Sequence, residues 1–134
     1  QGLSGFASWM RLQTEEEMEH SEKIFNYIIE RGGKVELEAI DKPQSNWDTP
    51  LAVFEDVLEH EEKVTALIND LVDCALEERD HASNNFLQWF VAEQVEEEAN
   101  VGAVLDKLKL IKDDSAGLFA LDLEMAKRTN SPAA

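Results

Sequence analysis

Phe6, Met10, Gln13, Glu17, His20, Ile24 and Tyr27 follow one another at alternating intervals of four and three. Those intervals return one face of a helix to its neighbours, so a long helix packed along this seam is predicted. The middle of the seam is chemically out of place. Where apolar side chains belong, Glu17 and His20 form Glu-x-x-His, and the i,i+3 spacing sets carboxylate and imidazole on the same face. Charged groups turned into a helical interface are as a rule paired or bound to a metal.

Two further seams repeat the pattern. Phe54, Val57, Glu61, Val64, Ile68, Leu71 and Ala75 form one, apolar or small except for Glu61. Phe86, Phe90, Gln94, Glu97, Val101, Val104 and Leu108 form the other, again with its polar members in the middle. The boundaries of the three helices are legible. Ser4 is the expected N-cap of the first, which stops at Gly32-Gly33. Asp48-Thr49-Pro50 starts the second, which runs to about residue 78. Asp80-His81-Ala82-Ser83 restarts the chain after a short link, so the third helix is expected to fold back antiparallel. Asp113-Asp114-Ser115 caps a short fourth helix over residues 116–127, followed by a frayed tail, residues 129–134.

Residues 34–48 have no helical period and end in Lys42-Pro43-Gln44-Ser45-Asn46-Trp47. Extended, this stretch of roughly 15 residues reaches about 50 Å, against about 42 Å for the preceding helix. It is long enough to cross a bundle and leave the next helix parallel to the last. A short edge strand over residues 34–37 is the lesser alternative.

The chain has 134 residues, 43% of them hydrophobic, enough for one domain with a packed core. Three prolines and six glycines leave long uninterrupted stretches, which favours an all-α fold. Twenty-nine acidic residues against twelve basic give a formal charge of −17. Phosphate neutralisation needs the opposite balance, so no nucleic-acid partner is expected. No membrane span or signal pattern is evident. The single cysteine, Cys74, excludes an internal disulfide, suits a reducing cytoplasm, and reads as a packing residue. The chain does not begin with Met, and a segment preceding it is expected.

Glu17 with His20, Glu61, and Gln94 with Glu97 thus stand at one depth on three helices, with Glu16, Glu93 and Glu96 one position off the seams. Carboxylates gathered this way repel one another. Two multivalent cations remove the repulsion, and oxygen ligands with an imidazole suit iron or manganese. Each residue alone has a plainer reading. Glu-x-x-His arises by chance in so acidic a chain. Glu15, Glu19, Glu22, Glu59, Glu62 and Glu98 read as solvated faces, His60 and His81 as surface histidines, and Trp9, Trp47 and Trp89 as packing anchors. The coincidence of three seams is what favours a metal site.

Several of these segments also resemble a known family. Glu16-Glu17 with His20, then Arg31-Gly32-Gly33-Lys34-Val35, then residues 84–98 (NNFLQWFVAEQVEEE) closely resemble the non-haem ferritins of bacteria and archaea. The resemblance covers essentially the whole chain. It implies a ferritin-like four-helix bundle with three long helices, a long crossover loop and a short C-terminal helix lining a fourfold axis. It further implies a homo-oligomeric 24-subunit cage that oxidises Fe(II) with O₂ or H₂O₂ and stores ferric mineral. By position, His20 resembles a ligand of the first iron and Glu17 the carboxylate bridging both. Glu61 and Glu97 resemble second-iron ligands, with Gln94 beside the oxidant. Glu16, Glu93, Glu96 and Glu97 resemble a third iron site. Haem-carrying relatives use a second Glu-x-x-His, where this chain has Gln94-x-x-Glu97 and Asn100; Met10 reads as packing, and no haem is expected. The family's first bundle helix, which supplies one more glutamate, has no counterpart in this sequence.

The mechanism this implies is electron transfer from two adjacent Fe(II) ions to oxygen or peroxide, at a centre that holds iron transiently. Two other classes stay open: a di-metal oxidase or peroxide scavenger that stores nothing, and a structural or assembly module with an incomplete site.

Overall fold

The structure, a computed structural model, describes residues 1–130; the end of the expected tail, residues 131–134, lies outside the described residues. It is all-α, with α1 at Ser4–Glu30, α2 at Pro50–Glu77, α3 at His81–Ile111 and α4 at Ser115–Met125. Among the described residues there is no strand, so the alternative at residues 34–37 is not formed. No described helix is long and apolar enough to cross a membrane. The chain divides into two compact units: Gln1–Gln44 with the segment from Asp113 onward, and Ser45–Lys112.

In the first unit α1 packs against α4. Ser4 is not the cap. Leu3 occupies the N-cap position without a side-chain bond, and Ser4 is already helical. The start of a helix leaves N–H groups without intrahelical acceptors, and here α4 supplies one. The Phe6 N–H donates to Asp122 Oδ1 at 3.0 Å, with Asp122 itself buried. Gly5 makes this approach possible, because a Cβ at position 5 would overlap the Asp122 carbonyl oxygen. The other end of α1 closes as the Gly-Gly pair requires. Gly32 takes φ +77°, its N–H donates to the Ile29 carbonyl at 2.9 Å, and the Gly33 N–H donates to that of Ile28 at 2.8 Å. This is a Schellman closure, which needs the left-handed conformation glycine adopts without strain. The tail is partly tied down: Asn130 Nδ2 donates to Glu15 Oε2 at 3.3 Å.

The second unit is the expected helical hairpin of α2 and α3. Thr49 Oγ1 accepts from the Ala52 N–H at 3.1 Å, and Pro50 fills the first turn, where no N–H is needed. The link is a double cap. Arg79 sits at φ 55°, the Asp80 N–H donates to the Ala75 carbonyl at 2.8 Å, and Asp80 Oδ1 accepts from the Ser83 N–H at 3.1 Å. Asp80 therefore ends one helix and begins the next. The core contains Phe54 and Val101, neither of which has any exposure, with Ile68, Ala75, Phe90, Val104, Leu105 and Leu108. Trp47 closes the irregular segment onto α2 through Nε1–H to Asp56 Oδ2 at 3.1 Å.

Two expectations for α2 are corrected. Leu71 is exposed rather than packed, and so is Cys74. The buried line of α2 is Phe54, Glu61, Ile68 and Ala75, one residue per heptad, with Val57 and Val64 only half-buried. The contact with α3 is centred on that line, so Leu71 falls on its flank. Cys74, one residue from Ala75, is turned about 100° away from it.

Candidate metal centre

In the α2–α3 hairpin the three predicted polar seam residues are all buried: Glu61 and Glu97 at 3% exposure each, Gln94 at 5%. Gln94 Nε2 lies 3.1 Å from the Glu61 carbonyl, 3.2 Å from Glu61 Oε2 and 3.2 Å from Thr65 Oγ1. The Thr65 hydroxyl donates in turn to the Glu61 carbonyl at 3.0 Å. The amide's donor end is thus held by α2, fixing one rotamer of Gln94 and restraining Glu61. Glu97 stands one turn further along α3 on the same face. Glu93 is half-buried, one turn before Glu97, whereas Glu96 is exposed; Glu98, expected in solvent, is half-buried. Burial of two carboxylates raises the cost of their charge unless hydrogen bonds or a cation answer it.

In the α1–α4 unit, Gln13, Glu17 and His20 lie along one face. Gln13 is buried, and its Nε2 donates to Glu17 Oε1 at 3.4 Å. Glu17 Oε2 is 3.5 Å from His20 Nδ1; the His20 side chain is 13% exposed and that of Glu17 43%. Glu16 points elsewhere, to Arg128 Nη2 at 2.8 Å. The first unit thus offers carboxylate oxygen with one imidazole and the second offers carboxylate oxygen, donors of the kinds that iron and manganese accept.

Three residues of this arrangement escaped the sequence reading as functional groups. Gln13 was visible only as a seam member, Thr65 as a hydroxyl one turn from Glu61, and Arg128 carried no local signal at all. The plainer readings hold elsewhere: His60 and His81 are exposed, and Trp9 is buried.

A buried acid costs stability to the extent that its charge is not compensated. Glu61→Leu is expected to stabilise the metal-free protein by on the order of 1–2 kcal/mol, and so to raise its thermal midpoint, since apolar replacement of a buried charge is often stabilising. Gln94 keeps the Glu61 carbonyl and Thr65 as acceptors in that variant. Calorimetry of the metal-free variant and parent checks this; an unchanged or lowered midpoint would show that Glu61 is comfortable without a cation.

Residues 1–111 match the ferritin-like domain family. The bacterial non-heme ferritin of Bacteroides fragilis (strain 638R) is 47% identical over 128 residues, which is 96% of this chain and 79% of that protein. A probable bacterial non-heme ferritin-like protein of Haemophilus influenzae is 39% identical over 125 residues, 93% of this chain and 76% of that protein. Among solved structures, an open pore ferritin from the hyperthermophilic archaeon Archaeoglobus fulgidus superposes with a TM-score of 0.94 at 52% identity, covering 96% of this chain and 79% of that one. Matched in sequence and in fold along nearly its whole length, with its acidic seam residues on the helices described above, this chain belongs to the ferritin family and has the ferritin-like all-α fold.

Proposed function

We propose that this chain is an iron-storage subunit with ferroxidase activity, acting in the cytoplasm as part of a homo-oligomeric, 24-subunit cage. The observation that carries the reading is the pair of buried carboxylates, Glu61 and Glu97, in one helical hairpin of a ferritin-family chain. In this reading the two compact units work as one ferritin-like domain. His20 binds the first iron, Glu17 bridges both, and Glu61 and Glu97 bind the second. Gln94, its donor end held by Glu61 and Thr65, has the carbonyl Oε1 as its remaining acceptor beside the oxidant. Glu16, Glu93, Glu96 and Glu97 form a third, more peripheral iron site.

Iron is the substrate here. Two Fe(II) ions become two Fe(III), and the two electrons with two protons reduce O₂ to H₂O₂, or H₂O₂ to two waters. The protein's part is to hold two cations side by side and to favour the harder Fe(III) with anionic oxygen. Release to the mineral requires that this hold be transient. A carboxylate as exposed as that of Glu17 suits exchange better than a closed cage of ligands does.

Anaerobic titration with Fe(II), followed by mixing with oxygen and by size-exclusion chromatography, tests the proposal. Saturable binding, rapid oxidation and a large assembly are expected. Rapid oxidation by a small species would point to a non-storage oxidase. Absence of saturable binding would point to an assembly module.

A further inference from the structure

Arg128, three residues beyond α4, turns its guanidinium onto α1. Nη2 donates to Glu16 Oε2 at 2.8 Å, Nη1 donates to the Trp9 carbonyl at 3.3 Å, and the guanidinium carbon lies 4.4 Å from the centroid of the Trp9 ring. The Arg128 and Glu16 side chains are each 18% exposed, and Trp9 is 5% exposed. A pair this sheltered is screened less by salt than a surface pair, and stacking on the indole adds to it. Beside it, Asn130 reaches Glu15, so the end of the described chain is fastened to α1 chiefly through two neighbouring carboxylates and one tryptophan.

Glu16 is also the only residue of α1 assigned above to the third iron site. A guanidinium 2.8 Å from its carboxylate already neutralises that charge, and a metal ion bound there would face a like charge at close range. We propose that Arg128 is a built-in competitor for that site: a multivalent cation takes Glu16 only by displacing Arg128, and the displacement loosens the segment after α4 from α1. The inference rests on the reading of Glu16 as an iron ligand. Because linkage is reciprocal, cation binding and docking of this segment oppose each other by one common factor. Arg128 is a positioning residue. It holds Glu16 in place while the site is empty and sets the cation level at which it fills. Iron arriving at low concentration would therefore settle first where no internal cation has to leave.

The test uses the full chain in its native assembly, with Mn(II) as a redox-silent probe counted by electron paramagnetic resonance. Arg128→Gln is expected to tighten the Glu16-dependent site by at least about five-fold, the lower end of ordinary coupling between sites. Arg128→Lys, which keeps the charge but not the planar fork, should fall between variant and parent. Mn(II) should also speed hydrogen exchange of the Lys127 and Arg128 amides, which bond to the carbonyls of Glu124 and Met125, in the parent and not in Arg128→Gln. Equal Mn(II) affinity in Arg128→Gln and parent, with Glu16→Gln weaker, would overturn the competition. If Glu16→Gln binds Mn(II) as the parent does, the ligand reading of Glu16 fails first and takes this inference with it. If Arg128→Gln loses helicity, Arg128→Lys decides alone: tighter binding supports the proposal and equal binding overturns it.

Discussion

Glu17→Ala and His20→Ala will each slow Fe(II) oxidation by roughly a hundred-fold or more, because losing even an outer partner of a metal ligand typically costs 10–100-fold. Both positions lie in the interior of α1, and alanine is the best helix former, so helical content should be unchanged. The two losses differ in kind. His20 contributes the imidazole, and its side chain is mostly sheltered, whereas Glu17 is more open and is steadied by Gln13. On the proposed assignment, removing His20 should weaken one iron selectively and removing Glu17 should weaken both, since a bridging carboxylate would serve two ions. Stopped-flow oxidation at saturating Fe(II), beside circular dichroism of the same samples, distinguishes a lost site from a lost fold. Parent-like rates in either variant would remove that residue from the centre.

Gly5→Ala will destabilise the first unit by about 3 kcal/mol, at the upper end of the usual cost of overpacking. Two effects of opposite sign meet here. Alanine in place of glycine favours a helix by up to about 1 kcal/mol. Against that, the new methyl would fall on the backbone carbonyl of Asp122, which cannot swing aside as a flexible side chain does. To make room, α4 has to move, and the Phe6 N–H to Asp122 Oδ1 bond goes with it. The clash is the larger effect. A drop in the thermal midpoint, with faster hydrogen exchange through Ser115–Met125, is the expected signature. A variant as stable as the parent would mean that α1 and α4 do not need to meet so closely.

Periodicity carried most of the fold into view, for a physical reason. Helices that must bury one face repeat their apolar residues in threes and fours, and a polar intruder in such a series is conspicuous. Glu61, Gln94 and Glu97 are buried as their seam positions require. Starts and stops were legible where the capping group is local, at Thr49, Asp80, Asp114 and Gly32. They were not legible where it is distant. Ser4 had the right chemistry for a cap, but Asp122 reaches α1 from another helix, and no local rule anticipates that. Arg128 and Glu16 are as far apart in sequence, and their pairing is just as hidden. Leu71 shows a different limit. A seam read in threes and fours is two residues wide per heptad, and only the contact with α3 decides which of the two is covered.

The double cap at Asp80 bears on how the hairpin is aligned. Because one residue both terminates α2 and launches α3, the elbow has no slack with which to absorb a change in chain length. The register of acid against amide further along is counted out from this fixed point, much as teeth on two racks are set by their common end stop. Local closure of this sort needs little search, so Glu61 and Gln94 can be brought face to face early in folding, before any cation arrives. On the proposed assignment, an ion would then meet these two side chains already aligned and would not have to gather them.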